Sequence, residues 1–200
     1  EVWHYFDEQI RYPATLLNAD GFDVQVLGDY DVLVLPDGRY GSVLDEETLD
    51  ALKTWVRGGG RLIALERAAS ALAGKDGFAL KPKKKKEDAE EEDEGPAPET
   101  MNYGERHREA ARRGTPGSIH RVRLDTTHPL GFGFDAYYTL KQSDAAFAPM
   151  KDGWNVGVLE EAVPLSGFMG HEAQEKLDDT LVFGVQEMGR GTVVYLVDNP

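Results

Sequence analysis

Apolar positions fall into short runs separated by glycine-rich and charged breaks, and their spacing changes character along the chain. Over the first 20 residues, Val2, Phe6 and Ile10 recur on one helical stripe with Trp3 and Tyr5 beside it. This pattern is interrupted near Pro13 and stops at Gly21. Phe22 to Leu27 alternates as a strand, and Asp31 to Leu35 is the continuous apolar run of a strand covered on both faces. Asp45 is placed to cap a helix in which Glu46 and Glu47 suit the dipole. Leu49, Leu52, Trp55 and Val56 form its apolar stripe, which ends at Gly58-Gly59-Gly60. Arg61 to Leu65 follows as a buried strand, and Glu66 to Ala73 has helical propensity directly after it. Strand, helix, strand, helix in this spacing predicts a parallel sheet with helices on its faces.

The pattern stops over residues 75–100, where KPKKKK, EDAEEEDE and GPAP offer no apolar face to offset the entropy of ordering. A charged, disordered insertion is expected there, within a single domain spanning 1–200. Residues 101–113 read as a polar helix, and Gly114 to Gly117 turns into a strand over Ile119 to Leu124. From there the chain is β-rich, with candidate strands at Tyr137 to Lys141, Ala146 to Met150, Asn155 to Leu159 and Val163 to Phe168. Leu181 to Glu187 and Thr192 to Val197 close the chain, and the glycine-bearing turn between them predicts a hairpin.

Composition narrows the function classes. At 200 residues and 40% hydrophobic content the chain can build one α/β domain with a real core. No window approaches the roughly 20 uncharged apolar residues of a membrane helix, and no leader of the signal-peptide kind opens the chain. A start at Glu1 and a stop at Asn199-Pro200, just after a strand pattern, read as a segment of something longer. The absence of cysteine excludes disulfides, thiolate metal sites and every cysteine nucleophile. A net charge of -14 repels phosphate backbones, so nucleic acid is not an expected partner.

Four segments together resemble a known family: Leu35-Pro36-Asp37-Gly38, Trp55 to Ala64, the strand-to-helix elbow at Glu66, and Gly191 to Pro200. They resemble the class I glutamine amidotransferase-like domains. The fold this implies is a flavodoxin-like three-layer α/β sandwich with a mostly parallel sheet, here with an extra β-rich C-terminal half. More narrowly, Val2 to Pro13, Pro116 to Leu130 and Val193 to Pro200 resemble the amidotransferase-like domain that follows the catalytic domain in some large bacterial zinc carboxypeptidases.

Active amidotransferases place a cysteine at the elbow and a histidine base after the last long strand. The resemblance puts Glu66 and Asn199 at those positions, and an asparagine has no titratable group that could act as general base. A degenerate, non-catalytic site is therefore expected. In a carboxypeptidase, zinc and peptide cleavage would belong to a catalytic domain elsewhere on the polypeptide. None of the five histidines here has the family's H-x-x-E spacing, so no metal ligand and no cofactor is expected in this chain. The resemblance also implies a secreted or cell-envelope parent.

Single residues keep two readings each. Glu66 could be an acid, base or ligand in a cleft, or a capping glutamate salt-bridged to Arg67 or Arg39. Asp37, Gly38 and Gly41 fall where the family builds an oxyanion loop, and a tight turn explains the glycines equally well. With Arg67 and Asp198, these residues make up the candidate ligand-binding cleft for a sugar or a peptide terminus. Asp125, His128 and Pro129 form a polar cluster that reads as turn hydrogen bonding rather than a metal site. His171 and Glu172 read as exposed capping partners at a helix start. No G-x-S-x-G elbow occurs, and the Gly131, Gly133, Ala136 spacing precedes a strand instead of opening a helix. The expected function is that of a non-catalytic accessory domain whose partner is a zinc carboxypeptidase catalytic domain, with a ligand-binding module or a Glu66 hydrolase as alternatives.

Overall fold

The computed structural model describes residues 2–19, 22, 24–84 and 101–198. In chain order the elements are α1 (Val2–His4), which runs into a π turn (Tyr5–Gln9), a 3-10 segment (Val24–Asp29), β1 (Val32–Leu35), α2 (Glu46–Arg57), β2 (Arg61–Leu65), α3 (Arg67–Leu72) and β3 (Lys81–Pro82). There follow α4 (Tyr103–Arg113), β4 (Gly117–Leu124), β5 (Tyr137–Lys141), β6 (Phe147–Ala148), β7 (Trp154–Leu159), β8 (Ser166–Phe168), α5 (His171–Leu177), β9 (Thr180–Met188) and β10 (Gly191–Leu196).

The main sheet runs β1-β2-β10-β9-β7-β4-β5, with β8 paired to β4. Only β1 with β2 and β2 with β10 are parallel; every other pairing in this sheet is antiparallel. The mostly parallel, flavodoxin-like three-layer sandwich expected from the sequence is thus corrected to a mixed, curled and mostly antiparallel sheet. The cause is local. β9 and β10 are joined by the two residues Gly189 and Arg190, with Gly189 at φ 64°, so the chain reverses by a hairpin and needs no crossover helix. Register shifts around Gly157, where β7 meets β9, add the bend and twist that bulges produce.

The α/β half follows its pattern closely. Asp45 caps α2, its Oδ1 accepting from the Thr48 amide at 2.8 Å. Leu49, Leu52 and Val56 are buried, and Trp55 packs partly against the same core. This core lies under α2 and α3 and includes Leu62, Ala64, Ala68, Ala69, Leu72, Val193 and Tyr195. Gly191 lets β10 pass close to α2: a Cβ there would sit 2.1 Å from the carbonyl oxygens of Gly60 and Val56. A second core, with Val122, Leu159, Ala173, Leu177 and Val182, lies beneath α5.

Three local expectations change. Phe22 to Leu27 is not a strand: Val24 to Asp29 coils as a 3-10 segment, because Val24 and Leu27, three residues apart, both turn to the core near α2. In residues 2–19 regular structure ends at Gln9, and none of these residues is buried. Residues 75–84 of the expected insertion are placed, and Phe78 and Leu80 enter the main core. The Ala79 amide donates to Gln186 Oε1 at 2.8 Å, and Gln186 Nε2 donates to the Gly77 carbonyl at 2.8 Å. Residues 85–100 lie outside the described residues.

Candidate functional site

The parallel trio β1-β2-β10 brings four of the sequence candidates to one edge, because each follows the carboxyl end of its strand. Asp37 follows β1, Glu66 and Arg67 follow β2, and Asp198 follows β10. This is the edge at which α/β sheets place ligands. Asn199 lies outside the described residues.

At this edge the groups are engaged with the protein. Arg67 grips Asp37 with both arms, Nε to Oδ1 at 2.8 Å and Nη2 to Oδ2 at 2.6 Å, and its backbone N–H adds a third bond to Oδ1 at 3.2 Å. Asp37 therefore both pairs with Arg67 and satisfies the first amide of α3. The Arg67 hydrogen bonds hold the Asp37 carboxyl below its ordinary value of 3.8. Tyr40 closes the loop by donating to the Pro36 carbonyl at 2.8 Å, and burial raises its phenol pKa.

Glu66 has φ 47° and ψ -113°, a backbone conformation that a non-glycine residue adopts only under constraint. The constraint is visible: its N–H donates to the Leu196 carbonyl at 2.7 Å, and its carbonyl accepts from the amide and hydroxyl of Ser70 at 3.0 and 3.2 Å. The elbow is real, with a half-buried glutamate at its apex.

Asp198 turns inward. Lys141, from the edge strand β5, donates to its two oxygens at 2.8 and 3.0 Å and to the Ala145 carbonyl at 3.1 Å. The two side chains are 1% and 4% exposed. Burial raises the Asp198 pKa, with the Lys141 charge pulling the other way. Asp37 and Asp198 are thus both held in ion pairs with cations of the same fold.

Around this pair lies a buried polar group that the sequence reading did not single out. On the inner faces of β4 and β5, Ser118 stands opposite Lys141, His120 opposite Thr139, and Val122 opposite Tyr137. Ser118 Oγ and His120 Nε2 are 2.8 Å apart, while His120 Nδ1 and the Tyr137 hydroxyl are buried with no hydrogen-bond partner. Burial, and then the Lys141 charge, lower the His120 pKa; burial and Asp198 push Tyr137 up to about 12. The signal was in the sequence, since Ser118 and His120 share the inward phase of Val122.

The other sequence candidates are structural. Asp125 Oδ1 accepts from the Thr127 amide and hydroxyl at 2.9 and 2.6 Å, and His128 Nδ1 accepts from the Leu130 amide at 3.2 Å. Glu172 pairs with Arg112 and Arg113 of α4, and His171 is exposed at the start of α5. Among the described residues no group of three or more His, Asp or Glu side chains could hold a metal ion. No helix among them is long and apolar enough to cross a membrane.

No family model matches the chain, and no curated protein matches it. Solved structures give weak likenesses. Gan42B, a GH42 beta-galactosidase from G. stearothermophilus, is 15% identical with a TM-score of 0.43 over 86% of this chain and 19% of that chain. A beta-galactosidase from Rahnella sp. R3 is 12% identical, with a TM-score of 0.42 over 85% and 20%. The cytoplasmic protein STM3548 from Salmonella typhimurium is 14% identical, with a TM-score of 0.44 over 87% and 62%. This chain spans about a fifth of the length of the beta-galactosidase chains it matches, and at these scores the likeness says nothing about its chemistry.

Proposed function

We propose that this chain is a non-catalytic accessory domain of a larger zinc carboxypeptidase, supporting the fold, contacts or substrate placement of a catalytic domain elsewhere on the polypeptide. The observation that carries the reading is the mutual neutralisation of charge at the strand edge. Asp37 is taken up by Arg67 and Asp198 by Lys141, and the sequence has no cysteine to stand at the Glu66 elbow. A nucleophile and its base need to be poised toward substrate, whereas these carboxylates are committed to cations of the same fold. The class of the parent rests on the resemblance of Val2 to Pro13, Pro116 to Leu130 and Val193 to Pro200. The donor set among the described residues does not fit a zinc centre, so no step of peptide cleavage is assigned to this chain.

The test uses the full polypeptide with and without residues 1–200. Zinc content and turnover of short peptides are expected to survive the deletion, while melting temperature or binding of large substrates falls. Loss of short-peptide turnover from a still folded, zinc-loaded protein would overturn the reading. So would a hydrolytic activity of the 200-residue chain that Glu66→Gln abolishes.

A further inference from the structure

β4 changes neighbours along its length. Arg123 and Leu124 pair with β7, whereas Gly117, Ser118 and Ile119 pair with β8. The strands β5-β4-β8 therefore form a wing whose ladder meets the rest of the main sheet at two residue pairs, Arg123 with Val158 and Leu124 with Gly157. Register shifts around Gly157 make this junction irregular. The contacts that hold the wing elsewhere include Val122 and Tyr137 in the core beneath α5, the exposed pair of Asp144 with Lys176 of α5, and the buried Lys141–Asp198 pair. Between that buried pair and the junction stands His120, 0% exposed on the inner face. Around it are Ser118 on its own strand, Tyr137, Thr139 and Lys141 on β5, the Val163 backbone and, beyond Lys141, the Asp198 carboxylate. Lys141 is the charge that acts on the ring, and among the described residues no carboxylate does. Asp144, the next acid along, lies near Lys141 but is taken up by Lys176. A proton on the imidazole therefore sets a second cation beside Lys141, with one carboxylate to serve both, at a site where an uncompensated charge is not hydrated.

We propose that His120 is an acid trigger for this wing: its protonation frees β5-β4-β8 from the Lys141–Asp198 tie, and the wing swings about Arg123 and Leu124 while the α/β half stays folded. The open form bares Ser118, His120, Thr139 and Lys141 to water. Where the proton binds fixes the sign. The Val163 backbone favours the charged ring, but burial and then Lys141 outweigh it and lower the His120 pKa, so opening takes up a proton only below its ordinary value of 6.5. Asp198 works in the opposite sense: burial raises its pKa, so through that group acid favours the closed form. Acid opening therefore has to come from the imidazole. One proton taken up raises the opening constant by up to about tenfold per pH unit, until the closed form is itself protonated at His120.

Amide hydrogen exchange of the 200-residue chain tests this, read as protection factors so that the intrinsic pH dependence of exchange divides out. At about pH 5.5 the amides of β4, β5 and β8 should be less protected than those of β2 and β10. Over about one pH unit below 6.5 they should lose up to about tenfold in protection. In His120→Gln, whose side chain stays neutral, that loss should disappear. A second measurement needs no variant: the His120 ring, followed by NMR in the unmodified chain, should titrate below 6.5, at the pH where the fall in protection levels off. β4 and β5 as well protected as β2 and β10 under acid conditions would mean that the wing does not open ahead of the fold, and would overturn the proposal. A fall in protection that persists in His120→Gln, or a ring that titrates at or above 6.5, would overturn it equally.

Discussion

Lys141 and Asp198 form a buried pair whose loss should be among the most damaging single changes in the chain. Lys141→Met leaves a carboxylate 4% exposed with its two closest donor contacts, at 2.8 and 3.0 Å, removed. Asp198→Asn leaves a buried ammonium that retains the Ala145 carbonyl. Removing one partner of such a pair costs about 3–5 kcal/mol, because the other charge stays buried and uncompensated. For a chain of this length each kcal/mol lowers the melting temperature by about 2–4 °C, so either variant should melt about 6–20 °C below the parent. Replacing both residues by apolar side chains, Lys141→Met with Asp198→Leu, removes the unpaired charge and should recover most of the loss. Urea unfolding of the four proteins at neutral pH gives the cycle. The double variant should differ from the sum of the single variants by about 2 kcal/mol or more.

The pH response of Lys141→Met carries an independent sign. Burial already raises the Asp198 pKa, and the Lys141 charge counteracts it, so without the lysine the folded-state pKa climbs further above 3.8. The folded protein then holds a proton that the unfolded chain releases. The variant's deficit relative to the parent should be smallest near pH 4 and grow as pH rises, by up to about 1.4 kcal/mol per unit. Single variants costing less than about 1 kcal/mol, or a double variant costing the sum of both, would refute a desolvated, coupled pair.

Other substitutions probe the remaining features. His120 has its pKa lowered by burial and by Lys141, so its neutral form supports the fold above pH 6.5, and that support is lost as pH falls toward the lowered value. Urea unfolding at pH 7.5 and 5.5 should show a shallower pH slope in His120→Asn than in the parent. At the elbow, Glu66→Gly should be about 1 kcal/mol more stable than Glu66→Ala, since only glycine adopts φ 47° and ψ -113° without strain; equal melting temperatures would contradict this. Gly191→Ala forces a Cβ to within 2.1 Å of two carbonyl oxygens and should cost about 1–3 kcal/mol or more, measured in the same way. Asp37→Ala removes both the Arg67 pair and the amide bond at the start of α3, for about 1 kcal/mol given its exposure.

Local structure was legible wherever a signal sat within one turn or one strand. Asp45 as cap, the Leu49, Leu52 and Val56 stripe, the Arg61 to Leu65 strand and the Met188 to Gly191 hairpin are each decided by neighbouring residues, and each forms as read. The Phe22 to Leu27 segment failed because its alternation and a three-residue spacing fit the same short string. The packing of Val24 and Leu27 decided between them. Phe78 and Leu80 were submerged in a charge-dominated window, although two apolar residues were enough to bring that stretch into the core. At the candidate site, the strand-end positions of Asp37, Glu66 and Asp198 could be read from the order of elements. Their partners are less legible: the sequence suggests Arg67 as a salt-bridge partner for its neighbour Glu66, yet it binds Asp37, 30 residues away.

The sheet's direction of pairing was the larger loss, and the Lys141–Asp198 contact shows why. Period-2 alternation says which face of a strand is inward but not which strand lies beside it. In sheet order β5 stands four strands from β10, about 19 Å away across a flat sheet at about 4.8 Å per strand, far beyond the reach of a lysine. Yet Lys141 on β5 bonds the carboxylate just past the end of β10 at 2.8 Å. The strands between must therefore curl the antiparallel half back toward the carboxyl edge of the parallel trio. The two residues are 57 positions apart, and nothing local to either marks the other as its partner. The same curl that was invisible in the sequence turns Asp198 from an open position at a strand end into an internal tie between the two halves. It also explains why breaking this one pair should loosen β4 and β5 before it disturbs α2 or α3. Hydrogen exchange of Lys141→Met, with faster exchange confined first to the β4 and β5 amides, is the observation that would bear this out, and uniform loss of protection would refute it.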